Sequence, residues 1–217
     1  MLEIFTNSAE LAIAASEAIE DRLAAGLAAR GRAALVATGG RSPGPVYDRL
    51  CNADLEWAHI AVTLSDERQV EASSPSSNAR LLRERLFVGP AAAARFLPLT
   101  DETELRELMP FDAVMLGMGE DGHIASLIPG SPVMAHAMDP NGRALTALSP
   151  AGFGSPPLAR ITLTFAALLQ SRAIFLLIAG GAKRQVIARA LDGEDLPVRA
   201  VLAQDRVPVR IFWTPNQ

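Results

Sequence analysis

A mostly apolar run from Phe111 to Leu116 stops at Gly117-Met118-Gly119-Glu120-Asp121-Gly122-His123, and this junction limits the possible folds more than any other stretch. So short an apolar run suits a strand buried on both faces better than a helix. The glycines after it let backbone come close to a ligand. Asp121 and His123 lie one residue apart, and a carboxylate so placed can fix the tautomer of an imidazole for general-base work on water or a sugar hydroxyl. The same pattern also fits an ordinary glycine-rich turn whose histidine caps a helix.

The arrangement recurs along the chain. Ala33 to Ala37 is a short apolar run ending in Thr38-Gly39-Gly40-Arg41-Ser42-Pro43, after which Val46, Tyr47 and Leu50 have helical spacing. A loop of this kind offers backbone N–H groups and the Ser42 hydroxyl at a helix N-terminus, a physical solution for holding phosphate, and Arg41 adds charge. It has neither the Gly-x-x-x-x-Gly-Lys spacing of a nucleotide-binding loop nor the Gly-x-Gly-x-x-Gly dinucleotide pattern, so no nucleotide cofactor is expected. His59 to Leu64 is expected to be the second strand, delivering Ser65-Asp66-Glu67-Arg68 at its C-terminal end, where three charged residues are unusual for a turn. Ligands of doubly wound sheets bind off the carboxyl ends of strands, which makes Asp66 and Arg68 candidates for the crevice of the Gly39-Gly40 loop. A solvated charge cluster is the other reading. Ala173 to Ala179 is a buried strand running into Gly180-Gly181-Ala182-Lys183, where a helix starts. Lysine in a first helical turn opposes the macrodipole and makes better sense facing a bound anion.

The remaining elements follow from periodicity and caps. A helix N-capped by Ser8 carries Leu11, Ala15, Ile19, Leu23 and Leu27 every four residues and ends at Gly31. Ser74-Pro75 starts a helix with Ala79, Leu82 and Leu86 on one face, leaving Arg80, Arg83, Glu84 and Arg85 on the wet side. Leu97 to Leu99 is expected as a short strand and Asp101 to Met109 as a helix capped by Thr100 or Asp101. The stretch from Met138 to Pro157 is loop-rich apart from a strand over Arg143 to Leu148. Arg160 to Phe165 and Val207 to Trp213 are strands, and Val186, Ile187, Ala190 and Leu191 bury a helix that Asp192-Gly193 ends. His59 and His136 have no ligand spacing and are incidental.

Composition excludes several classes. A chain of 217 residues, 49% hydrophobic, fits one α/β domain with a sizeable core. The net charge of -4 argues against a nucleic-acid surface, so any anionic ligand must be met by a few placed cations. The single Cys51 can form neither an internal disulfide nor a thiolate metal cage. Met1-Leu2-Glu3-Ile4-Phe5 has no secretory pattern, and the longest apolar run, Ala173 to Ala179, is far too short for a bilayer, so a soluble cytoplasmic protein is expected. There is no Gly-x-Ser-x-Gly elbow of a serine hydrolase, and Ser126 is more simply a packing or helix-capping serine.

Taken together, Gly39-Gly40-Arg41-Ser42-Pro43, Asp66-Glu67-Arg68 followed by Ser77-Asn78, Gly117 to Pro129, Arg160-Ile161-Thr162-Leu163-Thr164 and Gly181-Ala182-Lys183 resemble, in order, the glucosamine-6-phosphate isomerase/6-phosphogluconolactonase family on its lactonase side. The resemblance runs from about Leu35 to Trp213. It implies a three-layer α/β/α fold with a mostly parallel, Rossmann-like central sheet, shared with glucosamine-6-phosphate deaminase and ribose-5-phosphate isomerase. It also implies a hydrolase, free of metal and cofactor and expected to be a monomer, acting on 6-phospho-D-glucono-1,5-lactone in the oxidative pentose phosphate pathway. On the same basis His123 is similar to the general base and Asp121 to its orienting partner. Gly39, Gly40, Arg41, Ser42, Arg160 and Lys183 match positions that hold phosphate and sugar, with Arg68 in the charged wall and Asp66, Gly119 and Gly122 beside the substrate. Arg41 departs from the family's pattern, since many relatives have Ser there, and Met138 to Pro157 matches no family motif. An amino-sugar-phosphate deaminase or isomerase would need a carboxylate after the histidine, where this chain has Ile124-Ala125-Ser126-Leu127-Ile128-Pro129. A non-catalytic sugar-phosphate sensor would need a DNA-binding module, for which the helix from Ser8 leaves no room before the first strand.

Overall fold

The computed structural model describes residues 2–216; Met1 and Gln217 lie outside the described residues. Its core is a seven-stranded sheet, parallel throughout. In chain order the strands are β1 (Leu2–Ile4), β2 (Ala33–Ala37), β3 (Ile60–Leu64), β5 (Arg95–Phe96), β6 (Ala113–Leu116), β9 (Ile174–Ala179) and β10 (Val209–Thr214), and across the sheet they lie in the order β1-β10-β9-β6-β2-β3-β5. From β2 the chain works outward through β3 to β5, returns to the middle at β6, and works the other way through β9 to β10. The reversal falls between β2 and β6, which pair directly through Leu35↔Ala113 and Val36↔Val114. Open α/β sheets bind their ligands at such a switch point, outside the carboxyl ends of the strands.

Successive residues of a strand face opposite sides, so unbroken burial along β2, β6 and β9 means that both faces of the sheet are covered. One cover is α1 (Ser8–Arg30), which packs across β2, β6, β9 and β10 through Leu11, Ala15, Ile19 and Leu23. It starts one residue earlier than expected: Asn7, not Ser8, is the N-cap, accepting from the Glu10 N–H at 2.9 Å while Glu10 returns a carboxylate to the Thr6 N–H. The other helices are α2 (Gly44–Leu50), α3 (Asn78–Arg85), α4 (Glu102–Leu108), α5 (Met134–Ala137), α6 (Phe165–Leu168), α7 (Gly181–Leu191) and α8 (Pro197–Ala203).

A second sheet, antiparallel, joins β4 (Asp66–Arg68), β8 (Arg160–Leu163) and β7 (Thr146–Ser149) in the order β4-β8-β7. Asp66 to Arg68 is therefore a short strand with Asp66 buried, and not a solvated charge cluster. Its pairing with Arg160 to Thr162, nearly a hundred positions away, left no local signal. Other boundaries moved for identifiable reasons. The helix expected from Ser74 begins at Asn78, because Ser77 caps it and the Glu67 carboxylate accepts from the N–H groups of Asn78 and Ala79 at 2.8 and 2.7 Å. The strand expected at Leu97 to Leu99 is Arg95–Phe96, and that at Arg143 to Leu148 is Thr146–Ser149. Phe165 leaves its strand because Thr164 caps α6. Leu191, expected in the core, is 67% exposed in the last turn of α7. The strand β1 was not anticipated: its three residues are an edge addition to β10, closed by the Glu3–Arg210 ion pair.

The amino end of the switch point is held by Asp112, buried beside β6. Its carboxylate accepts from the Ala34 N–H at 2.9 Å, pairs with Arg30, and has Arg172 at 3.5 Å. Replacing it leaves a buried N–H of β2 without a partner, while both arginines, about a third exposed, turn to water. Asp112→Ala is expected to cost about 2 kcal/mol, lowering the thermal midpoint by roughly 4–8 °C for a chain of this size, measured by differential scanning calorimetry.

Candidate active site

Four loops leave the carboxyl ends of β2, β3, β6 and β9, which are neighbours in the sheet, so they meet at one end of the switch point. The first is shaped from below. Tyr47, wholly buried on α2, donates its hydroxyl to the Thr38 carbonyl at 2.6 Å and accepts from the Thr38 N–H at 2.9 Å, so the chain turns immediately after β2. Burial raises the phenol well above its ordinary value and keeps it protonated. Gly39 follows with Asn78 against it: a Cβ there would lie 2.0 Å from Asn78 Oδ1, so no larger residue fits without displacing the amide. Asn78 in turn donates to the Asp66 carbonyl at 2.8 Å, tying the β2 loop to β4.

The loop after β6 folds back on itself and no helix follows His123, which removes the helix-capping reading. The Gly119 N–H donates to the His123 carbonyl at 2.9 Å, and Met118 and Ile124 face each other as an antiparallel bridge. Inside this turn His123 Nδ1 lies 2.6 Å from Asp121 Oδ1, and the same carboxylate accepts the His123 N–H at 3.2 Å. That hydrogen bond from the ring holds the Asp121 carboxyl below the usual carboxylate range, partly opposed by burial. The lowered value keeps the carboxylate ionised, and an ionised carboxylate accepts the Nδ1 proton of the neutral imidazole, the tautomer in which Nε2 carries the lone pair. Gly122, next to His123 in the chain, receives the Val198 N–H of α8 on its carbonyl at 3.0 Å.

His123, Gly119, Gly39 and Gly40 open on one cleft of about 230 Å³. Arg41, Ser42 and Lys183 form its wall beside β2 and β9, and Asp66, Arg68 and Arg160 the wall contributed by the small sheet. Asp121 and Gly122 are not in the lining; Asp121 reaches the cleft only through the imidazole. A second cavity of about 280 Å³ also touches Arg41, Ser42 and Lys183, on the side of Ser8 and Thr214. The cleft is electropositive. Burial lowers the Lys183 ammonium, Glu120 opposes this and Arg41 adds to it; burial and then the Arg68 guanidinium lower Arg160, with Asp66 opposing. The Nε atoms of Arg68 and Arg160 are buried with no hydrogen-bond partner. Buried donors left in that state lose their hydration for nothing unless a ligand meets them.

Two participants carried no sequence signal of their own. Ser155 lines the cleft from the segment without a family motif, and Pro156 beside it accepts from Arg160 Nη2 at 2.8 Å. Ser126, expected to be a packing or helix-capping serine, stands between Asp66 and Arg160. No group of three or more His, Cys, Asp and Glu side chains among the described residues could hold a metal ion.

A parallel doubly wound sheet with glycine-rich loops, a carboxylate-oriented imidazole and converging cations at its switch point defines a class: α/β/α proteins built to handle small phosphorylated sugars. The family model described as glucosamine-6-phosphate isomerases/6-phosphogluconolactonase matches residues 6–213, and the chain belongs to that family. It is similar to the 6-phosphogluconolactonase of Caulobacter vibrioides, 40% identical with 98% of this chain and 96% of that one covered. It is also similar to a crystal structure of a 6-phosphogluconolactonase from Shewanella baltica, 35% identical, with a TM-score of 0.92 over 99% of this chain and 97% of that one. A monomeric glucosamine-6-phosphate deaminase, 20% identical with a TM-score of 0.75 over 98% and 96% of the two chains, shares the fold.

The turn after β6 depends on position 119 lacking a side chain. A Cβ there would lie 2.2 Å from His123 Nδ1 and 2.3 Å from Asp121 Oδ1. Gly119→Ala is expected to force the pair apart, abolishing the downfield Nδ1 proton resonance in NMR spectra, while the thermal midpoint falls by no more than about 4 °C because only a surface turn is disturbed.

Proposed function

We propose that this protein is a 6-phosphogluconolactonase, hydrolysing 6-phospho-D-glucono-1,5-lactone to 6-phospho-D-gluconate in the oxidative pentose phosphate pathway. The observation that carries the reading is that one cleft holds both the Asp121-oriented imidazole and a set of cations with buried, unpartnered donors. One end suits proton transfer and the other a doubly charged phosphate. The curated relatives of high identity bear the lactonase name, which favours this reading over the deaminase, isomerase and sensor alternatives.

The proposed chemistry needs no covalent nucleophile. His123 Nε2 takes a proton from water as the oxygen attacks C1 of the lactone, and returns it to the ring oxygen as the C–O bond breaks. General-base catalysis of this kind contributes about 10²–10⁴-fold. Positioning by the phosphate anchor, together with backbone N–H groups of the glycine-rich loops facing the developing oxyanion, supplies the rest. Gly39, Gly40, Ser42, Arg160 and Lys183 hold the phosphate and sugar, Arg41 and Arg68 add positive charge, and Asp66 and Gly119 shape the pocket around the sugar, while Gly122 lies outside its lining and serves the turn that carries His123. We propose further that the chain acts as a single domain and a cytoplasmic monomer without cofactor or nucleic acid, in keeping with its net charge of -4. No helix among the described residues is long and apolar enough to cross a membrane.

The direct test is acid release from freshly prepared lactone against the buffer blank. His123→Asn should lower kcat by about 10²–10⁴-fold with KM nearly unchanged; full activity in that variant removes His123 from the mechanism. Lys183 serves binding, and its variant should behave differently. Lys183→Met is expected to raise KM about 10–100-fold with little change in kcat. Because burial lowers the Lys183 ammonium, its charge is lost as pH rises through a value below that of a solvated lysine. The wild-type KM should therefore climb on the alkaline side, the Met variant should lack that limb, and Lys183→Arg should move it to higher pH.

A further inference from the structure

Ser126 is completely buried in the loop after β6, and its hydroxyl is engaged both as donor and as acceptor. Oγ donates to Asp66 Oδ2 at 2.6 Å and accepts from Arg160 Nη1 at 3.3 Å. Its N–H donates to Thr162 Oγ1 at 3.1 Å, fixing the loop against β8. The preceding Ala125 has φ 48°, the only non-glycine positive φ among the described residues, and this left-handed turn accompanies the inward placement of Ser126. Such a conformation in a residue with a Cβ is sustained only when the surroundings hold it.

The consequence concerns Arg160 and Asp66. Their closest approach, Nη1 to Oδ2, is 3.8 Å with both side chains almost wholly buried, too long for a hydrogen bond. Oppositely charged groups in a low-dielectric interior close to contact unless something stands between them. The serine hydroxyl does so: it satisfies one carboxylate oxygen with its own proton and takes one guanidinium proton on its lone pair. The other Asp66 oxygen lies 3.0 Å from Ser65 Oγ, and Arg160 Nη2 is held by the Pro156 carbonyl. Arg160 Nε is thus left buried and unpartnered beside the cleft.

We infer that Ser126 is a positioning residue, a hydroxyl spacer that stops Arg160 collapsing onto Asp66 and so keeps the guanidinium available to the phosphate of the bound substrate. This deepens the lactonase reading and rests on it. Without the hydroxyl, Arg160 closes on Asp66 as a direct ion pair and turns from the cleft, weakening anion binding while leaving the imidazole and its carboxylate untouched.

The test compares wild type and Ser126→Ala in three measurements: steady-state hydrolysis of 6-phosphogluconolactone, hydrolysis of unphosphorylated glucono-1,5-lactone, and calorimetric binding of inorganic phosphate. The expected result is a KM for the phosphorylated lactone and a phosphate Kd both raised about tenfold or more, with kcat within about twofold and the unphosphorylated substrate unaffected. Ser126→Cys, which keeps a weaker donor and acceptor in nearly the same volume, should fall between the two, and it decides alone if the alanine variant does not fold. Unchanged KM and phosphate affinity overturn the spacer role. Equal losses on both lactones also overturn it, since they mark a general structural defect. If wild type does not hydrolyse the phosphorylated lactone, the lactonase reading fails, and the phosphate titrations still decide the role of Ser126: a weaker Kd in the variant sustains it and an equal Kd removes it.

Discussion

The parallel pairing of β2 with β6 is the constraint on which the rest depends. Because the chain reverses its direction of travel across the sheet between these two strands, no crossover helix covers the gap beyond their carboxyl ends. The loops that leave them, one carrying Gly39-Gly40-Arg41-Ser42 and the other Asp121 and His123, open into the same hollow. The next strands on either side, β3 and β9, add Asp66 and Lys183. A cleft with chemistry at one side and positive charge at the other is thus a result of strand order before it is a result of any single side chain.

The second determinant is how several cations are held close together in a chain with net negative charge. Arg160 and Arg68 lie on paired positions of β8 and β4, close enough that the Arg68 guanidinium disfavours the charge of Arg160. Asp66 offsets that repulsion, yet its other contacts, Ser65 and Ser126, keep it from neutralising Arg160 outright. Below them Glu67 spends its carboxylate on the start of α3, accepting from Asn78 and Ala79, and Arg68 Nη1 is held by the Ser76 carbonyl at 2.7 Å. The arginines of this wall are held by backbone carbonyls, Ser76 for Arg68 and Pro156 for Arg160, and each keeps a buried Nε without a partner, a fixed placement of charge of the kind that electrostatic preorganisation uses.

Much of this was legible along the chain, for reasons that are local. An apolar run followed by glycine marks a buried strand and the loop after it, so β2, β6 and β9 were found to within one or two residues, and the loops at Gly39, Gly117 and Gly180 with them. A carboxylate two residues from a histidine is a short-range relation that survives folding, and the Asp121–His123 hydrogen bond shows it. The failures share another cause. Asp66 to Arg68 could not be told from a solvated charge cluster because its strand partner is in β8, and the buried Asp66 carboxylate is met by Ser65 and Ser126, far apart in the chain. The helix α8, only seven residues long with Pro197 as its first, has too little periodicity to announce itself, yet its Val198 N–H braces Gly122. Leu191 shows the opposite error: helical spacing assigned it to the core, but the apolar face of α7 is narrower than its periodicity suggested.

What the sequence alone determined was the class of the fold, the strand-loop-helix rhythm and the short motifs in which the candidate site residues sit, since each is encoded within a few consecutive positions. Only the tertiary structure decided that those loops share one cleft, that Ser155 borders it and that Ser126 separates Asp66 from Arg160. Those relations join residues tens of positions apart, and burial, which gives a hydroxyl or a guanidinium its leverage by removing water, is a property of the packed molecule and not of any stretch of chain.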